Sequence, residues 1–321
     1  MPTGNSAALI GLDWGTTSLR AHLLDASGAV IERRSSAEGI LADHKGGFEG
    51  TFGRVAGDWV ARAPGLPVIA SGMITSRNGW VETPYVRVPA GVDELASSLV
   101  PHDLSPASRI HFVCGMDYDP VDGTPDIMRG EETQIAGCLE RGSGGEGEEG
   151  LFVMPGTHSK WVSVRGRRLD KFDTYMTGEV YAVLKGHSIL GRLMEKSAGP
   201  LGTGFDQGVS ARLESDGSLL RHVFSARTMA LFDRVAPDQV ADYLSGLLIG
   251  EEVRSALKDC GSGSGSGSGA GATVTIVGDG ALTERYRRAL ELAGVAAVPA
   301  PEDAAALGHF AIARQAGLIA G

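Results

Sequence analysis

Apolar positions in this chain fall into short runs near the start and into longer helical periods toward the end. Residues 7–12 form an apolar run that predicts a buried strand, and Leu19–Leu24 and Val30–Arg34 predict two more. The last two are joined by Asp25-Ala26-Ser27-Gly28, residues that suit a hairpin turn. The opening is therefore expected to be three antiparallel strands, with Gly15-Thr16-Thr17 turning between the first two. Val68–Ser71 and Ile110–Cys114 predict inner strands of the same sheet, with a helix over Asp93–Leu99 between them. Glu131–Leu139 predicts a helix. Ile135, Cys138 and Leu139 share one face, and two glutamates lie in the first turn, where the helix dipole favours negative charge.

A second half opens with strands at Leu151–Met154 and Trp161–Val164, separated by Pro155-Gly156-Thr157-His158-Ser159-Lys160. This strand, Gly-Thr turn, strand pattern echoes Asp13–Arg20 at a spacing of about 140 residues, which suggests two halves of similar design. Helical periods follow at Glu179–Leu184, His187–Met194 and Val240–Leu257, the last with Tyr243, Leu244, Leu247 and Leu248 on one face. Thr273–Val277 predicts a strand ending in Gly278-Asp279-Gly280, then a helix over Leu282–Ala293 and a closing helix over Asp303–Leu318. Arg141–Gly150 and Gly261–Ala272 have the composition of flexible segments. The expected domains are 1–145 and 146–321, with the closing helix able to pack back on the first.

The length of 321 residues suits two cores. With 29 basic and 39 acidic residues the net charge is −10, which weighs against non-specific nucleic-acid or membrane-surface binding. Cys114, Cys138 and Cys260 form neither a disulfide framework nor a CxxC site and fit a reducing compartment. The first six residues lack the basic and apolar regions of a signal peptide, and no apolar run approaches the ~20 residues of a membrane span, so a cytoplasmic protein is expected.

Five places could carry chemistry. Asp13 at a strand end, beside Gly15-Thr16-Thr17-Ser18, could hold a hydrated magnesium ion while the turn meets phosphate oxygens. The same residues also make an ordinary hairpin turn. Gly156-Thr157 is a second such turn, and Gly278 and Gly280 before a helix form a third glycine site. Arg129-Gly130-Glu131-Glu132 could supply a general base for phosphoryl transfer, or simply complement a helix N-terminus. In Ser71–Trp80, the trio Arg77, Asn78 and Trp80 suits a small polyol acid: guanidinium for carboxylate, amide for hydroxyls, indole as wall. An Asn-Gly turn with a surface arginine is the alternative.

Other patterns carry less. GxxxxGK[ST] is absent, and the GxGxxG match at Gly142, Gly144 and Gly147 lies in a charged linker before a strand, the wrong context for a dinucleotide site. His158 and His187 lack metal-site spacing. Asp117, Asp119, Asp122 and Asp126 lack calcium-loop spacing and read as a solvated loop.

Asp13-Trp14-Gly15-Thr16-Thr17-Ser18-Leu19-Arg20 resembles the first phosphate motif of the actin, Hsp70 and sugar-kinase superfamily. Four sets narrow this: Ser71–Ile74 with Arg77–Trp80, Pro125–Gln134, Pro155–Trp161, and Tyr175–Glu179 with Tyr243–Glu252. Together they resemble the 2-dehydro-3-deoxygalactonokinase family, in order, from residue 8 to about 318. The resemblance implies an α/β fold of two ribonuclease-H-like domains flanking an ATP cleft. It implies ATP- and Mg2+-dependent phosphorylation of 2-dehydro-3-deoxy-D-galactonate at O6. Asp13 matches the magnesium-associated aspartate, and Gly15, Thr16, Thr17 and Ser18 match the first phosphate loop. Gly156 and Thr157 match the second, Gly278 and Gly280 the adenosine motif, and Gly308 sits in a connecting helix. Related kinases carry an aspartate where this chain has Glu131 and Glu132, with Asp126 just upstream, so the base is expected among these three, Glu131 first. Arg77 is expected to pair with the substrate carboxylate, with Arg20 or Arg129 assisting. A kinase for another sugar or sugar acid, and an actin- or Hsp70-type nucleotide-dependent binding protein, remain the alternatives. A homodimer is left open.

Overall fold

The computed structural model describes residues 6–105, 108–142, 149–196, 201–261, 273–278 and 280–320. Most of the Arg141–Gly150 run, the Gly261–Ala272 tract and Asp279 lie outside the described residues.

The chain begins β1 (Ala7–Trp14), β2 (Leu19–Asp25), β3 (Val30–Ser36), α1 (Gly47–Arg62), β4 (Val68–Ser71), β5 (Tyr85–Arg87), α2 (Val92–Ser97) and β6 (Val100–Ser105). It continues β7 (Ser108–Phe112), β8 (Gly115–Tyr118), β9 (Asp126–Met128) and α3 (Glu131–Glu140). Next come β10 (Glu149–Met154), β11 (Ser159–Arg165), β12 (Arg168–Tyr175), α4 (Thr177–His187), α5 (Thr203–Leu213), α6 (Leu219–Leu231) and α7 (Val240–Gly261). The chain ends β13 (Thr273–Ile276), α8 (Gly280–Leu292), β14 (Ala296–Pro299) and α9 (Ala304–Gln315). No helix among the described residues is long and apolar enough to cross a membrane.

Two compact units emerge: Met1–Glu149, Val164–Phe172 and Ala300–Gly321 form one, and Gly150–Ser163 with Asp173–Pro299 the other. The first unit is built on a sheet in the order β3-β2-β1-β4-β7-β6. β1 runs antiparallel to β2 and β2 to β3, as the two turns require, whereas β1 to β4 and β4 to β7 are parallel. The second sheet repeats the order as β12-β11-β10-β13-β14, with β10, β13 and β14 parallel. A strand hairpin followed by parallel strands, made twice, is the ribonuclease-H-like plan of actin- and hexokinase-type proteins. A small sheet, β5-β8-β9, belongs to the first unit.

Cores follow the apolar patterning. Ile10, Leu12 and Trp14 of β1 are fully buried against the buried Phe52 and Trp59 of α1. α1 forms despite glycines at 47, 50, 53 and 57. Each glycine costs about 1 kcal/mol relative to alanine. Burying Phe52, Val55 and Trp59 returns about 1.5–3 kcal/mol apiece, so packing wins. In the second unit Tyr286, Ala289 and Leu290 of α8 pack on Val153, Val274 and Ile276, and Tyr243, Leu244, Leu247 and Leu248 of α7 are buried as their spacing implies. The helical period over His187–Met194 resolves instead into a five-residue 3-10 turn, Ile189–Leu193. Gly186 and Gly191 flank Ser188, which is extended and receives the Leu190 N–H on its hydroxyl, so α4 stops there.

Candidate active site

The first unit gathers three backbone segments at the C-terminal end of β1. β1 and β4 run in parallel register, so Asp13 lies beside Ser71. Gly72 follows at φ +94, and a Cβ there would stand 2.8 Å from the Trp14 carbonyl oxygen. Gly130 follows at φ +110, and a Cβ there would stand 3.1 Å from Gly72 Cα. Glycine is needed at both positions, for its backbone conformation and for this stacking. The result seats the N-terminus of α3 against the end of β1.

At that N-terminus two carboxylates are held by local backbone donors. The Arg129 N–H donates to Glu131 Oε2 at 2.9 Å, and the Gly130 N–H donates to Glu132 Oε2 at 2.7 Å. Glu132 is fully buried, and its Oε1 accepts the Thr133 hydroxyl at 3.0 Å. Burial and then the neighbouring Glu131 charge push its carboxyl up to about 8. Glu131 is only half-buried. Asp13 is also raised above its ordinary value, by burial first and by Glu131, against the pull of Arg20. Arg20 is the ladder partner of Asp13, with Nη1 3.8 Å from Oδ2 and its side chain half in solvent. Arg20 and Glu131 therefore both act on the Asp13 carboxyl group, in opposite directions. Asp126 lies on β9, where Oδ1 accepts the Ile127 N–H at 2.7 Å.

The turn after Asp13 is braced from beneath. Gly15 N–H donates to Ser18 O at 2.9 Å, Ile40 N–H to Gly15 O at 3.0 Å and Leu41 N–H to Thr16 O at 3.2 Å. The Trp14 indole donates to Glu38 O at 2.9 Å. Thr16 and Thr17 stay exposed. A Cβ on Gly15 would approach nothing nearer than 3.6 Å, and its φ is ordinary. The fold itself does not require glycine there; close approach of a ligand to the backbone would.

The other expected sugar-acid residues divide. Arg77 and Asn78 are exposed at the tip of a tight loop, which Trp80 N–H closes on Ile74 O at 2.8 Å. Trp80 turns inward. Its ring lies 6.2 Å from Trp14, 5.8 Å from Phe112 and 6.4 Å from Phe48, so it is a plank under the Asp13 turn. Arg129 is committed elsewhere: Nη1 donates to Thr75 and Thr83 hydroxyls at 2.7 and 2.6 Å, Nη2 to Thr83 O, and the guanidinium lies 4.4 Å over Tyr85. It ties the 75–83 loop to α3.

One residue had no signal in the sequence. His309 on α9 is fully buried, with Nε2 2.9 Å from Ser71 Oγ, and burial pushes its imidazole down to about 3, so it is neutral. Its ring fits because Gly11 has no Cβ, which would lie 2.7 Å from Nδ1. Gly308 lets α9 touch α3: a Cβ there would stand 1.8 Å from Thr133 O.

In the second unit, Gly156 resembles Gly15: a Cβ would meet nothing nearer than 3.8 Å. Thr157 and His158 are exposed. Behind the turn, Gly178 of α4 abuts it, its Cβ position 2.3 Å from Gly156 O, and Glu179 N–H donates to Thr157 O at 3.0 Å. His158 Nε2 meets Glu179 Oε2 at 2.5 Å. Gly278, at φ +142, and Gly280, at φ +73, are both exposed where β13 gives way to α8. No cluster of three or more metal-ligating side chains occurs among the described residues.

Comparison with known proteins gives a consistent result. A family model described as 2-keto-3-deoxy-galactonokinase matches residues 13–312. A 2-dehydro-3-deoxygalactonokinase of Escherichia coli (strain K12) is 31% identical over 292 residues, 90% of this chain and 91% of that protein. A Rhizobium meliloti (strain 1021) protein named as a candidate for the same activity is 36% identical over 301 residues, 91% of this chain and 92% of its own. The crystal structure of a Sinorhizobium meliloti protein, described likewise, aligns with a TM-score of 0.82 at 35% identity, covering 95% of this chain and 98% of that one.

Proposed function

Since the chain belongs to the 2-keto-3-deoxy-galactonokinase family, we propose that it transfers the γ-phosphoryl group of ATP to O6 of 2-dehydro-3-deoxy-D-galactonate. The observation that carries this reading is the pairing of two exposed Gly-Thr turns, each with a glycine the fold does not need, with a carboxylate pair at a helix N-terminus. Glycines kept where a Cβ would make only ordinary contacts with the protein, at 3.6 and 3.8 Å, fit phosphate oxygens resting on the backbone.

In the first unit, the Gly15–Ser18 turn takes phosphate oxygens through its exposed backbone and hydroxyls. Asp13 is the residue that would hold Mg2+. The donor set fits: Mg2+ keeps most of its waters and uses one or two carboxylates, so a three-residue cage is not needed. A cation there relieves the burial and like-charge penalty that Asp13 bears beside Glu131. When bound, the ion supplies charge neutralisation on the transferring phosphoryl group. In the second unit, Gly156 and Thr157 meet phosphate oxygens, and Gly278 and Gly280 let the chain lie close to adenosine.

Glu131 is the general base of this reading. It is half-buried and faces Asp13, while Glu132 is sealed with both oxygens occupied. The 6-hydroxyl proton passes to Glu131, the hydroxyl oxygen bonds to the γ-phosphorus, and the bond to the ADP oxygen breaks. Arg77, exposed at its loop tip, pairs with the substrate carboxylate, and Asn78 with a hydroxyl. Trp80 acts from below, by supporting Trp14. The free, buried thiols of Cys114 and Cys138 fit a reducing cytoplasm.

Thermal-shift measurements with a non-hydrolysable ATP analogue test the substrate. A further rise in Tm on adding 2-dehydro-3-deoxygalactonate is expected. No rise with that acid, but a rise with another sugar acid, would reassign it.

A further inference from the structure

The second unit contains a buried carboxylate that phosphoryl transfer does not use. Glu252 lies on α7 and is 1% exposed. Its Oε1 accepts the Trp161 indole N–H at 2.8 Å, and its Oε2 accepts the Tyr286 hydroxyl at 2.8 Å. Tyr286 OH in turn lies 2.7 Å from the Ser159 hydroxyl, and the Thr177 and Ser159 hydroxyls bear on the same carboxyl group.

These partners are not scattered. Ser159 and Trp161 open β11, directly after Gly156-Thr157-His158. Thr177 opens α4, whose next residue is the Gly178 that abuts Gly156, followed by the Glu179 whose N–H binds Thr157 O. Tyr286 sits on α8, the helix that starts at Gly280. One side chain thus ties together the strand leaving the second Gly-Thr turn, the helix packed behind that turn, and the helix that begins at Gly280. A carboxylate is suited to this because it only accepts, with two oxygens that can serve four donors. A buried, multiply bonded carboxyl group loses far more by truncation than a surface one, so its geometry is rigidly held.

We infer that Glu252 is a positioning residue for the nucleotide, fixing the second phosphate turn and the start of α8 in the one relation that receives ATP. The inference rests on the proposed reading that Gly156-Thr157 and the two glycines Gly278 and Gly280 take the nucleotide. Its signature is selective: loss of the hub weakens ATP and leaves the sugar acid untouched, because the sugar-acid residues belong to the first unit.

Steady-state kinetics of the full chain test this with Glu252→Gln, Tyr286→Phe and Trp161→Phe, alongside Gly156→Val as control for the reading itself. Glutamine keeps the shape of the carboxylate but turns an NH2 toward one of the donors. The expected result is a KM for ATP raised tenfold or more in Glu252→Gln and about threefold in each single-donor variant, with KM for the sugar acid within twofold. Should Glu252→Gln fail to fold, the phenylalanine variants, which each remove one donor to Glu252 (Tyr286→Phe also losing the contact with the Ser159 hydroxyl) and retain the carboxylate, carry the same contrast. KM for ATP within twofold of wild type in the folded hub variants, while Gly156→Val raises it, overturns the inference alone. So does an equal rise in both KM values together with a lowered Tm, which marks a merely structural role. If Gly156→Val also leaves KM for ATP unchanged, the nucleotide reading itself fails.

Discussion

Replacing Glu132 by glutamine asks whether the carboxyl sealed at the start of α3 is kept neutral by the fold. In the wild type it has no exposure, and its two oxygens accept the Gly130 N–H at 2.7 Å and the Thr133 hydroxyl at 3.0 Å. Burial, with Glu131 adding repulsion, moves it from the ordinary 4.5 to about 8. Below pH 4.5 the folded and unfolded chains both hold the proton, and this group leaves stability unchanged with pH. Between 4.5 and 8 the unfolded chain releases a proton that the folded protein keeps. Stability therefore falls as pH rises, by about 1.4 kcal/mol per unit. Across the whole interval that is roughly 5 kcal/mol, an upper figure because local opening that admits water limits the penalty. Glutamine has no such proton. Its carbonyl accepts from Gly130, its amide donates to Thr133 Oγ1, and that hydroxyl reverses its role. Urea unfolding, followed by tryptophan emission at half-unit steps from pH 5 to 8.5, reads the difference. Trp14, Trp59 and Trp80 all lie in the first unit and report on it. The two proteins should be nearly equal at pH 5, with Glu132→Gln more stable by several kcal/mol at pH 8.5. Stability curves that stay parallel over this range would refute the assignment of a neutral carboxyl.

Three further outcomes follow from the same geometry. Glu131→Gln should lower kcat by about 10²-fold or more while the KM for ATP stays near wild type; near-normal turnover would move the base role to another carboxylate. Gly15→Ala should keep or slightly raise Tm, since the new Cβ clears every protein atom by 3.6 Å, yet raise the KM for ATP severalfold; an unchanged KM would remove the phosphate from this turn. Gly308→Ala should do the reverse and lower Tm steeply, because its Cβ would fall 1.8 Å from Thr133 O and force α9 off α3; a Tm within 2 °C or so would show that the helices separate easily.

The strand framework was legible because both sheets announce themselves by apolar runs ending in Gly-Thr turns, at Trp14 and again at Met154. Elements whose burial is carried by unusual residues were not. α5 has a regular inward face, but its positions are Gly204, Phe205, Gly208, Val209 and Arg212, so glycine and a buried arginine take places where hydropathy looks for leucine. Arg212 is fully buried because it binds Glu251 and the Gly217 carbonyl. α1 was obscured by its glycines, and β5, β8 and β9 are three or four residues long, too short for a period to register. For the candidate site, the sequence singles out Asp13 and the α3 glutamates and places Glu131 first, without showing how the two carboxyl groups differ. That difference is tertiary: Glu132 is fully buried, whereas Glu131 is half-buried and its charge acts on Asp13. Arg129 and Trp80 are the converse case: their chemistry suits a sugar acid, but tertiary partners claim the guanidinium and the indole.

The central claim is tested most directly by coupled ADP release from the purified protein with ATP, Mg2+ and 2-dehydro-3-deoxy-D-galactonate, with the phosphorylated position of the product read by NMR. Turnover that depends strictly on the sugar acid and yields the 6-phosphate is the expected result. ATP hydrolysis indifferent to the sugar acid, or a phosphate on another oxygen, would contradict the account.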